Sequence, residues 1–263
     1  MSASDEYTIE GRTVRMPVEV REAQNWLATF FVPVDPVRRL VAPTGLDVAK
    51  VGGFSVLALG FVRYVDTDLG AYDEFAVSLT VRRHDAPPAS ARRMLVETVR
   101  PPIGVYIHRL PVNDGFSLAA GRGIWGYPKT LADFEMTREG TATRWSLRQD
   151  GSLALSVRFE PGKVPWMQRT TPPTYTFVDG TLRMTRWESR PAGVRSRFGG
   201  GATVTLGEGP LADELRSLGL PKRPLFSASI AKWRARFFAP EIVQAGTTSV
   251  SSEKESGRAA QNT

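Results

Sequence analysis

Short segments in which large apolar residues alternate with small or polar ones constrain the fold of this chain most strongly. The segments 74–83 and 151–160 both alternate in this way. Ile103, Val105 and Ile107 repeat the pattern. Because neighbouring residues of a β-strand point to opposite faces, each segment predicts a strand with one buried face.

Turn-forming residues and the scarcity of helical patterns indicate the fold class. The chain has 24 glycines and 19 prolines to connect many short strands. Helices are predicted at 35–42 and 210–219, and a third is assigned to 226–238. We therefore expect a mainly β (α+β) protein. Its large curved antiparallel sheet, or cone-like β-barrel, would enclose a pocket for one small ligand, with a few peripheral helices.

The domain organisation predicted from composition is simple. A chain of 263 residues is long enough to bury a large core, and we expect a single domain over 1–245. Residues 246–263 are rich in Ser, Thr and Gly and are predicted to be a disordered tail. The first residues are polar, and no stretch approaches the roughly 20 apolar residues of a membrane helix. These features predict a cytoplasmic protein that does not bind a membrane.

Cysteine and histidine usage excludes several kinds of chemistry. The chain has no cysteine, which removes disulfides, thiolate metal sites and a cysteine nucleophile. A Ser–His triad would have to use one of the two histidines, His84 or His108. His84 precedes a turn sequence and is predicted to lie on the surface, whereas His108 lies on the strand face opposite Ile107. We expect no metal site and no cofactor.

The formal net charge of +7 raises the question of an anionic partner. Arginine supplies most of the positive charge, but it is interleaved with acidic residues and forms no run or nucleic-acid-binding motif. We therefore interpret it as a solvated surface and expect no nucleic-acid partner. An anionic small substrate would also be attracted by this charge.

The segment 116–134, FSLAAGRGIWGYPKTLADF, is the best candidate for chemistry. It combines four aromatic residues and three closely spaced glycines with Lys129, one of only six lysines. Lysine can form an imine when its amine is neutral, whereas arginine stays protonated. Burial among apolar groups favours a neutral amine. Alternatively, Lys129 lays its stem over an aromatic ring and keeps its charge in solvent.

The sequence GRGIWGYPKTLA resembles the active-site motif of the acetoacetate decarboxylase family, in which Gly-Arg-Glu precedes Tyr-Pro-Lys-Lys. Gly121, Arg122, Tyr127, Pro128 and Lys129 match that motif. The resemblance covers about residues 20 to 245 in order and spacing. It implies that Lys129 is the residue that forms a Schiff base with the substrate.

The resemblance also implies roles for the surrounding residues. The segment 68–77 resembles a family segment that ends in Tyr-x-Glu, so Glu74 is the predicted proton carrier and Tyr72 a wall of the site. Alternatively, Glu74 is a surface residue that begins a strand. Arg122 would bind a substrate carboxylate, or bond loop carbonyls instead. Tyr72, Trp125 and Tyr127 would line the substrate pocket, unless they only fill the core.

Several positions depart from the family motif. Thr130 replaces the second lysine, and Gly123 replaces the glutamate after Gly-Arg. A second acidic position falls near Leu59, and the early arginine falls near Ala23, with Arg21 two residues away. These departures indicate that the fold and the imine chemistry are kept while the substrate or the outcome differs.

The function predicted from these features is that of a carboxy-lyase. The enzyme would form a Schiff base with a small-molecule keto acid and decarboxylate acetoacetate or a related β-keto acid. An alternative is an aldolase or dehydratase that uses the same lysine on a larger keto acid. Another is a non-catalytic protein that binds a small molecule, and a third is an anion or nucleic-acid binder. The resemblance also implies a homo-oligomer.

Overall fold

The computed structural model describes residues 5–84, 103–166 and 171–243. Within them, strands dominate. They are β1 (Glu6–Ile9), β2 (Arg12–Arg15), β3 (Val18–Pro33), β4 (Leu46–Val48), β5 (Lys50–Val51), β6 (Phe54–Thr67), β7 (Tyr72–Arg83), β8 (Ile103–Val112), β9 (Lys129–Leu131), β10 (Asp133–Glu139), β11 (Ala142–Gln149), β12 (Ser152–Phe159), β13 (Thr174–Val178), β14 (Thr181–Thr185), β15 (Trp187–Phe198), β16 (Ala202–Leu206), β17 (Phe226–Phe237) and β18 (Glu241–Val243). The helices are α1 (Val34–Val41), α2 (Gly115–Ala120) and α3 (Pro210–Ser217).

A 12-stranded sheet forms the body of the protein, in the order β15-β17-β3-β6-β7-β8-β13-β14-β18, with β4, β5 and β9 attached at its sides. Most pairs are antiparallel, but β8 pairs in parallel with both β13 and β9. Strands β15, β3 and β8 all contribute to one cavity, so the sheet curves around it. The predicted mainly β fold with a large sheet and few helices is confirmed. In the part of the chain that the structure describes, the pairing does not close on itself.

A second sheet of four strands, β10-β11-β12-β16, packs against the outer face of the large sheet. Trp145 of β11 is fully buried between the sheets and stacks on Phe61 of β6 with ring centroids 5.2 Å apart. Phe61 also contacts Phe75 of β7 at 4.6 Å. This aromatic cluster, together with the apolar faces of both sheets, is the main core, and its burial is the chief stabilising contribution.

In strand β7, the predicted alternation of large apolar with small or polar residues separates a core face from a cavity face. The large residues Phe75, Val77, Leu79 and Val81 are fully buried in the core between the two sheets. The intervening small and polar residues line the cavity on the opposite face, namely Ala76, Ser78, Thr80 and Arg82. The face without large apolar side chains therefore borders an internal space.

The helices at 35–42 and 210–219 were predicted correctly, but the helix at 226–238 was wrong. This segment is strand β17. Two bulges in its pairing with β3, on either side of Trp233, shift the strand register. They bring Ile230, Trp233 and Ala235 to the same buried cluster, and the three-residue step from Ile230 to Trp233 is one that a helix also shows.

The two histidines lie outside the cavity. His108 Nε2 lies 2.7 Å from Glu214 Oε1, which Arg109 also contacts, so this group connects α3 to strand β8. His84 is largely exposed, as predicted, and its Nδ1 lies 3.2 Å from Asp47. The predicted tail, 246–263, lies outside the described residues, and the single domain over 1–245 stays a prediction.

The described residues contain neither a membrane-spanning helix nor a cluster suited to a metal ion. None of the helices there has the length and apolar character needed to cross a membrane. Likewise, no group of three or more His, Asp or Glu residues within 5–84, 103–166 and 171–243 is arranged to hold a metal ion.

Candidate active site

A cavity of about 1370 Å³ lies on the concave face of the large sheet. Its walls are mostly apolar, and strands β3, β6, β7, β8, β15 and β17 all contribute to them. The charged residues of the described chain that line it are Lys50, Glu74, Arg82 and Lys129. Lys129 and Glu74 lie at one end, here called the inner end.

The local backbone delivers Lys129 to the inner end. Helix α2 is capped by Asp114, whose carboxylate accepts from the backbone N–H of Ser117, and it runs into a π-helical turn, Gly121–Trp125. Such turns often occur at functional sites. Gly126 ends the turn with a φ of 68°, a left-handed conformation that favours glycine. The chain then re-enters the sheet, where β9 pairs with β8 and sets Lys129 opposite Leu110.

Lys129 and Glu74 form a buried ion pair. Lys129 Nζ lies 2.9 Å from Glu74 Oε2. Their residues are only 2% and 8% exposed. Strand β8 lies between their two strands, and Glu74 is aligned with Val112 of that strand. The structure thus brings together the two residues predicted to be catalytic, and the carboxylate is placed to exchange a proton with the amine.

Two stacked tyrosines support this pair. The Tyr64 hydroxyl donates to Glu74 Oε1 at 3.2 Å, and the ring of Tyr64 stacks on Tyr72 at 4.4 Å. Lys129 Nζ lies 4.8 Å from the centroid of the Tyr72 ring, within range of a cation–π contact. Burial, reinforced by the nearby Glu74 carboxylate, holds the pKa of both tyrosines well above the usual value. Tyr64 therefore remains a hydrogen-bond donor at neutral pH.

Tyr127 and Trp125 also line the inner end, as predicted. The Tyr127 hydroxyl bonds with Thr174 Oγ1 at 3.1 Å, and burial raises the pKa of Tyr127 to about 12. Trp125 Nε1 donates to the carbonyl oxygen of Phe238 at 2.8 Å. Both polar groups are satisfied by the protein, so the rings present apolar surface to the cavity.

Arg122, the predicted carboxylate-binding residue, lies outside the cavity. Its side chain is exposed, does not line the cavity, and donates from Nε to the carbonyl oxygen of Lys129 at 2.8 Å. This is the loop-carbonyl alternative, in which the arginine fixes the backbone of the lysine. Gly123 and Thr130, which replace charged residues of the family motif, are exposed as well.

The structure also places the other departures away from the cavity. Leu59 is fully buried in the core on the outer face of β6, so a side chain there cannot reach Lys129. Ala23 is fully buried in a second apolar cluster. Arg21 is exposed and binds Asp66 and Asp68, so it does not supply the missing arginine.

Sequence reasoning missed several inner-end residues. Tyr64, Trp187 and Trp233 line the cavity, and Trp187 and Trp233 contact each other edge to face at 5.9 Å. The alternation of β6 was a usable signal for Tyr64, because it shares the cavity face with Val62 and Gly60. No comparable signal marked Trp233, because bulges in β17 obscure the pattern.

Fold and site define a class of protein: a mainly β chain whose sheet encloses an apolar small-molecule cavity, with a buried lysine and glutamate in contact at one end. A family model described as acetoacetate decarboxylase (ADC) matches residues 10–245. The chain therefore belongs to the acetoacetate decarboxylase family.

Individual relatives are distant. The curated acetoacetate decarboxylase of Acidiphilium cryptum (strain JF-5) is 32% identical over 93 residues, which is 35% of this chain and 30% of that protein. The crystal structure of acetoacetate decarboxylase from Legionella pneumophila has a TM-score of 0.68 at 17% identity and covers 87% of both chains. The enduracididine biosynthesis enzyme MppR has a TM-score of 0.65 at 11% identity, covering 88% of this chain and 89% of its own.

Proposed function

We propose that the protein is a cofactor-independent lyase that forms a Schiff base between Lys129 and a keto acid, and that it decarboxylates acetoacetate or a related β-keto acid. One observation carries the proposal: Lys129 Nζ and Glu74 Oε2 lie 2.9 Å apart, both buried, at the wall of an apolar cavity. Membership of the family supports an enzyme that acts on such substrates.

The first step is formation of the imine. Glu74 takes a proton from the Lys129 amine, and the freed nitrogen lone pair attacks the substrate carbonyl carbon. The attacking nitrogen gives up a proton to the carbonyl oxygen, which becomes a hydroxyl group. Glu74 then returns its proton, and the hydroxyl group leaves as water. The product is an iminium ion. Tyr64, which donates to Oε1, keeps the carboxylate oriented so that Oε2 faces the amine.

The second step is carbon–carbon bond cleavage. The electron pair of the bond to the carboxylate carbon flows into the iminium, and carbon dioxide and an enamine result. Glu74 takes up a proton from solvent and passes it to the enamine carbon, which regenerates an iminium. Attack of water then releases the ketone and restores the Lys129 amine.

The charge distribution favours loss of the carboxylate. Glu74 and Lys129 are the charged residues that line the inner end, and Arg122 is exposed outside it. Apart from the iminium itself, no cation of the described chain lines the inner end to hold the substrate carboxylate. A carboxylate in apolar surroundings is poorly solvated, whereas carbon dioxide is neutral, so the site favours the product of decarboxylation.

Aldol-type condensation or dehydration is the second candidate. The cavity, at about 1370 Å³, has room for a second reactant beside the enamine. One solved structure of MppR is described as complexed with the condensation product of pyruvate and imidazole 4-carboxaldehyde. In this chemistry the enamine would attack an aldehyde, with Glu74 supplying the proton to the new alkoxide.

Borohydride trapping tests the proposal. The protein is incubated with acetoacetate, pyruvate or a longer keto acid, reduced, and mapped by peptide mass spectrometry, with carbon dioxide release measured in parallel. We expect a reduced adduct on Lys129. It should be absent from Lys129→Arg, which keeps a cation beside Glu74 but cannot form an imine. Lys163→Ala, which removes an exposed lysine outside the cavity, should leave the adduct intact.

Each outcome separates the candidates. An adduct with carbon dioxide release supports the decarboxylase. An adduct without release, accompanied by a condensation product when an aldehyde is added, supports the aldolase. No adduct with any keto acid contradicts both and favours a non-catalytic binding protein.

Partners and location remain predictions. We propose a homo-oligomer in the cytoplasm, and size-exclusion chromatography with light scattering tests the first part. Many arginines of the described surface already pair with carboxylates, for example Arg144 and Arg158 with Glu139. This pairing supports a solvated surface over a nucleic-acid site, because paired guanidinium groups contribute less to phosphate binding.

A further inference from the structure

The cavity extends far beyond the Lys129–Glu74 pair. Tyr64 and Val56 both line it, and they lie eight residues apart on strand β6. At a rise of about 3.3 Å per residue, this separation is about 26 Å. A pocket of 300–1,000 Å³ is typical for a drug-sized ligand, and this cavity of about 1370 Å³ exceeds it. A four-carbon keto acid would occupy only the inner end.

The middle of the cavity is lined by small side chains and is therefore wide. On the cavity face, β6 presents Ala58 and Gly60, and β7 presents Ala76 and Ser78. These positions are aligned across the two strands, Ala58 with Ser78 and Gly60 with Ala76. These two cross-strand pairs of small residues leave a continuous groove over the sheet, and no charged group of the described chain lines this part.

Away from Lys129, the cavity as bounded by the described residues is open and mainly apolar, although Lys50 and Arg82 also line it there. Four large apolar residues there line the cavity and are also exposed, namely Val51, Trp166, Phe198 and Leu225 at 51%, 50%, 60% and 41%. Trp166 and Phe198 contact each other at 5.6 Å. An exposed apolar cluster around a cavity opening indicates a site that receives an apolar ligand.

We propose that the cavity is an acyl channel. It takes a keto compound whose carbonyl reaches Lys129 and whose unbranched apolar tail lies in the groove of small residues and points to the open end. The reaction of the keto group with Lys129 rests on the proposed function, whereas the channel is inferred from the apolar walls of the cavity alone. It assigns the substrate class as medium- to long-chain keto acids.

Chain-length dependence tests the channel. We would measure kcat/KM for β-keto acids of four, eight and twelve carbons, and the binding of methyl ketones of matching length by quenching of tryptophan fluorescence. Complete burial of a methylene corresponds to roughly a fourfold gain in affinity. If the channel buries each methylene by half, the gain in free energy is halved. We therefore expect kcat/KM and affinity to rise at least roughly twofold per added methylene.

Two variants that fill the groove locate the tail. Ala58→Phe and Ser78→Phe place a ring in the middle of the channel, and two variants are used in case one fails to fold. Each should lower the ratio of kcat/KM for the twelve-carbon over the four-carbon acid by at least roughly tenfold, because the tail loses several buried methylenes. Ser152→Phe adds the same ring at an exposed position outside the cavity and should leave the ratio unchanged.

The outcomes distinguish this inference from the proposed chemistry. Binding and kcat/KM that stay flat or fall with chain length overturn the channel, even if Lys129 is trapped by acetoacetate. The channel is also overturned if Ala58→Phe and Ser78→Phe lower kcat/KM equally for substrates of all chain lengths. Length-dependent binding without any adduct on Lys129 supports the channel and contradicts the Schiff-base chemistry.

Discussion

The side chain of Lys129 passes directly over Gly121. A Cβ atom at Gly121 would lie 2.6 Å from Lys129 Cδ and 2.7 Å from Cε, closer than carbon atoms approach without a shift. The backbone of Gly121 has ordinary helical geometry, with a φ of −60°. Glycine is therefore required here for space, and the first residue of the π-helical turn defines the path of the lysine.

Gly121→Ala should displace the Lys129 amine from Glu74. We expect roughly a 100-fold loss in the rate of adduct formation, because a misplacement of about 1 Å can cost that much. Borohydride trapping over time measures the rate. Gly115→Ala, in the same segment but with no atom within 4 Å of the added carbon, is the matched control. Equal trapping rates in the two variants would show that the close contact does not position the lysine.

Glu74→Gln should remove the proton carrier while keeping the shape of the side chain. We expect kcat for the trapped keto acid to fall roughly 100- to 10,000-fold, the range of general acid–base catalysis. Steady-state kinetics give the value, and circular dichroism checks the fold. A variant with unchanged kcat would assign Glu74 a structural role only.

Tyr64→Phe should loosen Glu74 without changing any group that reacts. A hydrogen bond to a charged group contributes about 1.5–3 kcal/mol, so we expect kcat to fall roughly 10- to 100-fold, with KM changed less. Tyr106→Phe removes a hydroxyl from a tyrosine that packs against the core and does not line the cavity, and it serves as the control. If the two variants have the same kcat, Tyr64 does not orient the carboxylate.

Glu214 should make stability depend on pH. Burial raises the pKa of this carboxyl group, but the bonds from His108 and Arg109 outweigh burial and lower it to about 2. A carboxyl group with a lowered pKa contributes stability above its unfolded pKa, and the contribution is lost as the pH falls to about 2. Glu214→Gln should therefore lower the free energy of unfolding by about 2 kcal/mol at pH 7.

Urea denaturation between about pH 7 and pH 2 measures this difference, which should shrink below the carboxyl's ordinary pKa of about 4.3. Glu208→Gln, a change at an exposed carboxylate shortly before α3, should show no such dependence. A constant difference between Glu214→Gln and the wild type at all pH values would contradict the assignment.

The sequence predicted the strands better than the site. Alternation in β7 identified both faces, because a period of two needs only local information. The contact of Lys129 with Glu74 came from the family resemblance, since two strands that flank β8 meet only through long-range pairing. Arg122 was ambiguous for the same reason: a motif gives residue types, whereas the direction of a side chain depends on the turn that carries it.

The errors have physical causes as well. Residues 226–238 imitate a helix because bulges in β17 change which residues share a face. Leu59 was counted from Glu74 along the chain, but the count does not respect the alternation of β6, where Leu59 belongs to the core face. Tyr64 shares the cavity face and supplies the polar contact that Leu59 cannot.

The separation of core and cavity residues onto opposite faces of β7 has a consequence for how this protein can evolve. Its core residues and its cavity residues occupy alternate positions, so a substitution at Ala76, Ser78 or Thr80 reshapes the ligand space without disturbing the layer beneath. Inherited variation can therefore alter what the cavity accepts while the folding core stays constant. Laboratory selection for new substrates would best begin by randomising these inward positions on β7, leaving their neighbours untouched.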